Sequence, residues 1–594
     1  MTDHSTNGAK TLRGIAVSPG IVIGKAHLIE REKARILYQV IIREDQLNRE
    51  VERFEEALQA TEEQLIRLKD RMPEHVNDHA AILESHLVIL QDAMLTDATI
   101  GRIRDEKINA EWALKKSLDE IRQVFSEIED EYINTRINDV ESVTERILRN
   151  LSGKGQQGLE EINGRVIIVA RDLSPADTAE LNINRVMGFI TDVGGRTSHT
   201  AIIAQALEIP AVVGMESATG QVAEGDLLIV DGSTGRVIVH PDDNAIVHYQ
   251  EKQLQYEAFK SIIARMSHLP AVTLEGHRIS VRANIEFREE VRAVRDYGGE
   301  GVGLYRTEFL YLRSKEPPTE EELFEDYREV AELIAPAPVT IRTLDLGGDK
   351  FSSKLEIEKE INPALGLRAI RLCLKEPDIF KCQLRAILRA GVHGNVQLMF
   401  PMISGLQEVL DAKQILKEVK GELDRNKIEY DRHMKVGIMI EVPSAVTMAE
   451  VLAEHVDFFS IGTNDLIQYA LAIDRINEHV AYMYQPFHPA ILRMIQQVVN
   501  AAKKAGISVS LCGEMAGDPL CVLILLGLGI DVLSMNARSI PIIKKIIRSL
   551  SMEEARRDFA YIIGLHAAND VRAHIMERMK SLFPELEKRG YLNG

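Results

Sequence analysis

Beyond residue 270 the chain repeats one pattern eight times, a short β-like run followed by a stretch of helical composition. The runs are ISVRANI, GVGLYRTEF, PVTIRTLDLGG, NVQLMFPM, KVGIMIEVP, DFFSIGTND, ISVSLCGE and IDVLSMN. No other feature constrains the fold as much, because eight parallel strands joined by crossover helices close into a TIM barrel, a fold of typically about 250 residues or more. In such barrels the chemistry sits at the C-terminal ends of the strands. Just past those ends stand Arg306, Arg342, Asp345, Glu441, Asn464, Asp465, Cys512, Glu514 and Asn536. A purely structural barrel has no need of so many polar groups there.

Each of these residues has a chemical reading and a plainer one. Arg306 in LYRTEF and Arg342 in TIRTLD can converge on one anion, since guanidinium forks match phosphate or carboxylate oxygens. A lone arginine at such a place is more often a surface ion pair, and it is the two together that give the anion reading its weight. Glu441 and Asp465 end the fifth and sixth runs, neighbouring staves, so both carboxylates can share one hard divalent cation, magnesium or manganese. The plain alternative is a pair of capping or salt-bridged acids. Cys512 ends the seventh run, where a thiol can exchange a proton once its neighbours tune it. Cys373, Cys382 and Cys521 read as small buried hydrophobes.

The first half of the chain has a different texture. From Arg31 to Asn150 there is one glycine, Gly101, and one proline, Pro73, which predicts long helices joined by short turns. Val76, Ala80, Leu83, Leu87, Leu90 and Met94 recur at helical spacing as one apolar stripe. The same span carries 27 acidic and 18 basic residues, a net of −9 out of −19 for the whole chain. That acidic face is either an ordinary solvated surface or a docking surface for a basic protein. On either side lie strand-like runs, GIAVSPGIVIGKAHLI before it and GRVIIVA, RVMGFITDVGG, PAVVGM and DLLIVDG after it. The simplest arrangement is a discontinuous α/β domain of residues 1–30 and 151–240, a helical insert of 31–150, a helical linker of 241–269, and the barrel of 270–594.

Composition closes off other classes. With 594 residues, and roughly 150 per domain, three to five domains are expected. The net charge of −19 repels nucleic acid and anionic membranes and favours basic partners. The longest apolar run, Leu520 to Ile530, is far short of the ~18 residues of a membrane span, and MTDHSTNGAK has no apolar signal region, so a cytoplasmic protein is expected. Four cysteines without CxxC or zinc spacing fit a reducing compartment.

The segment TDVGGRTSHTAIIAQALEIPAVVG runs from a strand through Gly194 and Gly195 into a helix beginning near Ser198. His199 falls in its first turn, where free backbone N–H groups and the positive end of the dipole stabilise a phosphate. GGRTSHTAI resembles the phosphohistidine loop of the phosphoenolpyruvate-utilising enzymes. LYRTEFL, IRTLDLGGDK, NPALGLRAIR, MIEVPSA, IGTNDLIQY and LCGEMAGD resemble that family's barrel motifs, in the family's order. The likeness covers nearly the whole chain. GIAVSPGIVIGKA followed by a helical insert is similar to the enzyme I group of the sugar phosphotransferase system.

The resemblance implies a multidomain α/β chain, a phosphohistidine α/β domain with an inserted helical bundle followed by a (β/α)8 barrel. It implies that His199 accepts the phosphoryl group of phosphoenolpyruvate, with Thr178 hydrogen-bonding the imidazole. Arg306 and Arg342 would hold the substrate phosphate, Asn464 and Arg475 would make further substrate contacts, and Glu441 and Asp465 would bind magnesium, or manganese in its place. Cys512 would protonate the enolate to give pyruvate. The family further implies that the insert docks the carrier protein HPr, with His86 near that contact, and that the barrel forms a homodimer. The His199 domain would swivel about linkers near Asn150 and Pro241. Ile476 departs from the family, many members having glycine after the residue equivalent to Arg475.

Three other readings differ by a feature. A dikinase or synthase of the same family needs a nucleotide-binding domain, and no such segment or P-loop pattern is present. A nitrogen-related paralogue commonly carries a sensory domain ahead of the first strand, for which about ten residues leave no room. A non-catalytic phosphoenolpyruvate sensor would not need both the nucleophile His199 and the proton donor Cys512.

Overall fold

The run VIIVA is apolar at every position, the pattern of a strand covered on both faces. In the computed structural model it is β4, Val166–Ala170, in the middle of an eight-stranded mixed sheet. Its residues alternate between two cores. Ile168 and Ala170 pack with Phe189, Ala201 and Ala204 on one face, and Ile167 and Val169 with Val22, Ile190 and Val212 on the other. The remaining strands are β1 Lys10–Arg13, β2 Ile15–Ser18, β3 Ile21–Ile29, β5 Val186–Thr191, β6 Ala211–Val213, β7 Leu227–Asp231 and β8 Arg236–Val239. The sheet order is β1-β8-β7-β3-β4-β5-β6-β2, parallel only across β3-β4-β5-β6. Strands from both sides of the helical segment therefore share one sheet.

The structure describes residues 9–29, 40, 43–71, 86, 87, 89, 90, 92, 94–126, 131–152, 164–173, 185–195, 198–312, 317–347, 362–475, 477 and 479–592. Between β3 and β4 the described helices are Glu44–Arg71, Thr96–Asp105, Ala110–Ser126 and Glu131–Leu151. Leu47, Val51, Phe54 and Leu65 of the first pack with Ile103, Leu114 and Ile147 of the others. Helical spacing of four and three puts these side chains on one face. Of the expected stripe, Val76, Ala80 and Leu83 lie outside the described residues. Leu90 is buried and Leu87 packs against the same core, whereas Met94 is exposed because the chain turns there before the next helix starts at Thr96.

The expected linker forms the helix Asp243–Met266, and the chain parts into two compact units within it: residues 1–257 with 588–590, and residues 258–587 with 591–594. In the second unit all eight β-like runs become strands: β9 Ser280–Ile285, β10 Val302–Tyr305, β11 Pro338–Arg342, β12 Asn395–Phe400, β13 Val436–Ile440, β14 Phe458–Ile461, β15 Ser508–Leu511 and β16 Val532–Met535. They are parallel throughout and close, β16 pairing with β9. Alternate residues divide the barrel into two cores. Ile341, Leu398, Ile438, Phe459 and Leu511 face the surrounding helices. Leu304, Met399, Met439, Phe458 and Cys512 form a separate small cluster inside. None of the described helices is long and apolar enough to cross a membrane.

Candidate active site at the barrel mouth

Period-two alternation and the stop at each strand end place the charged residues. Arg342 is the last residue of β11, and Arg306 directly follows β10. Glu441 follows β13 and is succeeded by Val442 and Pro443, the proline opening the next helix, so the strand cannot continue past the carboxylate. Asn464 and Asp465 lie in the first turn of the helix Thr463–Leu471, one glycine after β14. That glycine lets the backbone approach the carboxylate closely: a Cβ on Gly462 would stand 2.7 Å from Glu441 Oε2.

Arg342 is held on both sides. Its Nη2 donates to Glu308 Oε1 at 3.0 Å, and its Nη1 pairs with Asp345 Oδ2 at 2.8 Å. Arg368 Nη2 donates to the other Asp345 oxygen at 2.9 Å. Two guanidiniums and two carboxylates thus form a neutral chain at the barrel mouth. Burial acts to raise the Asp345 carboxyl, yet Arg342 and Arg368 outweigh it and hold it below the ordinary range. Glu308 moves the other way, pushed up by burial despite Arg342. For Arg342 itself burial is opposed by Glu308, Asp345, Glu441 and Asp465, and the net direction is upward, so the cation is secure. Its buried Nε has no partner among the described residues.

Glu441 is 2% exposed, and its Oε1 accepts the Met402 N–H at 2.6 Å, with no cation paired to it among the described residues. Burial, then the charges of Asp465 and Asp345, push its carboxyl well above the ordinary range. Two neighbouring carboxylates, the buried one in no salt bridge among the described residues though Arg342 acts on it from a distance, fit a divalent cation that completes its shell with water and substrate oxygens. The described residues contain no group of three or more His, Cys, Asp or Glu arranged to hold a metal by themselves.

A cavity of about 600 Å³ opens here, lined by Arg306, Asn464 and Cys512 together with Asn284, Glu286 and Glu514. Arg306 Nη1 lies 2.5 Å from Glu286 Oε1. Asn464 is locked in orientation: its Oδ1 accepts from Tyr484 Oη at 3.2 Å and from the Glu514 N–H at 3.0 Å, while its Nδ2 donates to Glu514 Oε1 at 3.0 Å. Arg475 is exposed and reaches the same Glu514 oxygen at 3.4 Å. Cys512 is 3% exposed; burial pushes its thiol up, while a hydrogen bond from Ser460 and the charges of Arg342 and Arg306 act to lower it.

The sequence-based candidates thus divide. Arg306, Asn464 and Cys512 share the cavity wall, and Arg342 and Glu441 are buried within electrostatic reach of the thiol. His199 opens the helix His199–Leu207, with Ser198 Oγ accepting from the Ala201 N–H at 3.4 Å, after a turn in which Gly194 takes φ +112°, a conformation that favours glycine. His199 is placed by its backbone alone; Thr178 and Ile476 lie outside the described residues. His86 lies just ahead of the helix Thr96–Asp105. It is 4% exposed. Sequence reasoning assigned no role to Glu308, Arg368, Asn284 or Ser460, although the first two stand inside the quoted motifs LYRTEFL and NPALGLRAIR.

Family models match along the chain: the N-terminal domain of phosphoenolpyruvate-utilising enzymes over residues 13–136, their mobile domain over 162–235, and their phosphoenolpyruvate-binding domain over 260–552. The chain is 45% identical over 563 residues to a phosphoenolpyruvate-protein phosphotransferase of Bacillus sp. (strain S), covering 95% of this chain and 97% of that one. The chain belongs to this family. The Bacillus subtilis phosphoenolpyruvate-protein phosphotransferase is 44% identical, covering 96% of this chain and 100% of its own. The Haemophilus influenzae one is 42% identical, covering 92% and 95% respectively. A solution structure titled Enzyme I (nEIt) is 42% identical over 41% of this chain and 99% of its own length, with a TM-score of 0.38.

Proposed function

We propose that this chain transfers the phosphoryl group of phosphoenolpyruvate to its own His199 and then to a histidine of HPr, releasing pyruvate, the first step of the sugar phosphotransferase system. The observation that carries this reading is identity of 42–45%, nearly end to end, with relatives named phosphoenolpyruvate-protein phosphotransferase. The barrel mouth adds a physical reason. Phosphoryl transfer needs positioning and neutralisation of charge more than covalent help from the protein. Arg342, pre-aligned by Glu308 and Asp345, and Arg306 at the cavity wall would take the phosphate. Asn464 and Arg475, braced through Glu514, would orient the carboxylate end. Cys512 would deliver the proton that turns the enolate into pyruvate.

Magnesium, or manganese in its place, held by Glu441 and Asp465, would supply a charge that draws electron density from the phosphate and enolate oxygens. His199, at a helix start preceded by glycines, would carry its phosphate against backbone N–H groups and the helix dipole. Thr178 would hydrogen-bond that imidazole.

The functional domains in this reading are residues 1–30 with 151–240 for the phosphohistidine domain and 31–150 for HPr docking. Residues 241–269 form the linker, and 270–594 bind phosphoenolpyruvate and dimerise. The docking face would be the acidic side of the helix Glu44–Arg71, where Glu52, Glu55 and Glu56 are exposed with no ion pair among the described residues. Nothing in the reading involves nucleic acid or a membrane, and it places the protein in the cytoplasm.

The test is incubation with phosphoenolpyruvate labelled in the phosphate, with and without magnesium, followed by phosphopeptide mapping in alkali, which preserves phosphohistidine. Label is expected on the His199 peptide only with metal, and His199→Ala should take up none. A labelled His199→Ala protein would overturn the assignment.

A further inference from the structure

We propose that Ser460 is a positioning residue for proton delivery: its hydroxyl fixes the Cys512 thiol at the cavity wall and stabilises the thiolate left when that proton moves to the substrate carbon. The inference rests on the assignment of Cys512 as proton donor made above.

Ser460 is the third residue of β14, fully buried, and does not line the cavity. Its Oγ donates to Cys512 Sγ at 3.3 Å, the hydroxyl's hydrogen bond among the described residues. The rest of Cys512 is held as firmly. Its amide donates to the Ile461 carbonyl at 3.1 Å, and its Sγ lies 3.6 Å from the same oxygen. Its carbonyl accepts Asn284 Nδ2 at 2.9 Å, and Asn284 Oδ1 in turn accepts Ser534 Oγ at 2.6 Å. Residues of β9, β14 and β16 therefore converge on one cysteine.

The apolar neighbours of the thiol give the hydroxyl its meaning. Leu304, Met399, Met439 and Phe458 cluster with Cys512, and none of them can donate a hydrogen bond to sulfur. A buried hydroxyl carries a desolvation penalty, which alanine at this position would avoid. What the hydroxyl contributes is a donor to sulfur, which strengthens once the sulfur carries charge. Burial alone drives the thiol away from ionisation, and the Ser460 hydrogen bond is the largest influence in the opposite direction.

The step balances as follows. The bridging P–O bond of phosphoenolpyruvate breaks as phosphorus bonds to the His199 imidazole, and its electron pair stays on the enolate oxygen. The enolate π pair forms a bond from the methylene carbon to the thiol hydrogen, giving the methyl group of pyruvate. The S–H pair remains on sulfur, where the Ser460 hydroxyl donates to it until water returns a proton.

The experiment is a double-mutant cycle on the full-length chain, with steady-state pyruvate release measured in the presence of magnesium and HPr. Ser460→Ala is expected to lower kcat by about 10- to 100-fold, the scale of a weakened proton transfer, with KM for phosphoenolpyruvate within about twofold. In the Cys512→Ala background the same change is expected to cost nothing further, because the thiol it serves is gone. The nearly isosteric Ser460→Cys, a weaker donor, should fall between Ala and the unmodified chain. An equal loss in both backgrounds, a loss confined to KM, or an unchanged kcat in Ser460→Ala would each overturn the role of Ser460. Undiminished pyruvate release by Cys512→Ala alone would instead overturn the proton-donor assignment beneath it.

Discussion

Asp345 is the joint of the neutral charge chain, since one of its oxygens holds Arg342 and the other Arg368. Asp345→Asn keeps the shape and removes the charge. Breaking a buried ion pair by deleting one partner costs about 3–5 kcal/mol, and the asparagine oxygen, which still accepts one hydrogen bond, places the effect toward the lower end. For a barrel unit of about 330 residues, at about 2.1 cal/mol/K per residue, the unfolding entropy is roughly 0.7 kcal/mol/K. The melting temperature of the barrel should therefore fall by about 4–5 °C. The same change loosens the Arg342 fork; losing one charged hydrogen bond, about 1.5–3 kcal/mol, should raise KM for phosphoenolpyruvate by roughly 10- to 100-fold. The sign of the pH effect follows from the depressed Asp345 carboxyl. Its contribution is present above the unfolded value of about 3.9 and lost as pH falls through the folded value. The variant and the unmodified chain should thus converge in stability under acid. Calorimetry from pH 7 down to 3, with KM measured at pH 7, decides the matter. A melting shift below about 1 °C together with an unchanged KM would refute the view that this network both supports the barrel and aligns the anion site.

Glu441→Gln removes the buried member of the carboxylate pair while keeping the Met402 hydrogen bond available; phosphoryl transfer should drop by about 100-fold or more and cease to respond to magnesium titration, and activity within twofold of the unmodified chain would contradict the metal assignment. Glu275 accepts from Ser551 Oγ and from the Met552 N–H at 3.0 Å, tying the loop before β9 to the start of the helix Met552–Ile562. Its carboxyl is lowered to about 2, the Ser551 hydrogen bond acting first. The stability it contributes is present above the unfolded value of about 4.3 and is lost as pH falls toward 2. Glu275→Gln should flatten the acid dependence of barrel stability in that window, as followed by denaturant titrations at stepped pH, and an unchanged slope would refute the link.

The barrel was legible in the chain because each strand needs a short β-like run and each crossover a helical one, and all eight runs became strands where they stood. The helical segment was legible from the absence of breakers, although the apolar stripe did not extend to Met94, where the chain turns. Strand-end placement singled out Arg342, Glu441 and Cys512, since a polar residue closing an apolar run faces the mouth. It did not single out Glu308, which enters a helix after β10, or Arg368, which stands before the helix Ala369–Lys375. Their part arises from Arg342, which pairs with Glu308, and from Asp345, which pairs with Arg368, partners distant in sequence that only closure brings near. Ser460 was hidden for a related reason. It is one small polar residue within FFSIG, and nothing local distinguishes a serine facing helices from one facing a thiol just past the end of the next strand.

By itself the sequence determined the element types, the eight-fold repeat, the family motifs and the chemical kinds of group at the barrel mouth, because these depend on local periodicity and on residues near one another in the chain. The tertiary structure alone decided which charges neutralise which, that His86 is buried, and that a serine on β14 supports the cysteine directly after β15. Those outcomes depend on through-space distances of a few ångströms between residues tens to hundreds of positions apart, and at that range hydrogen bonding and burial set the properties of each group.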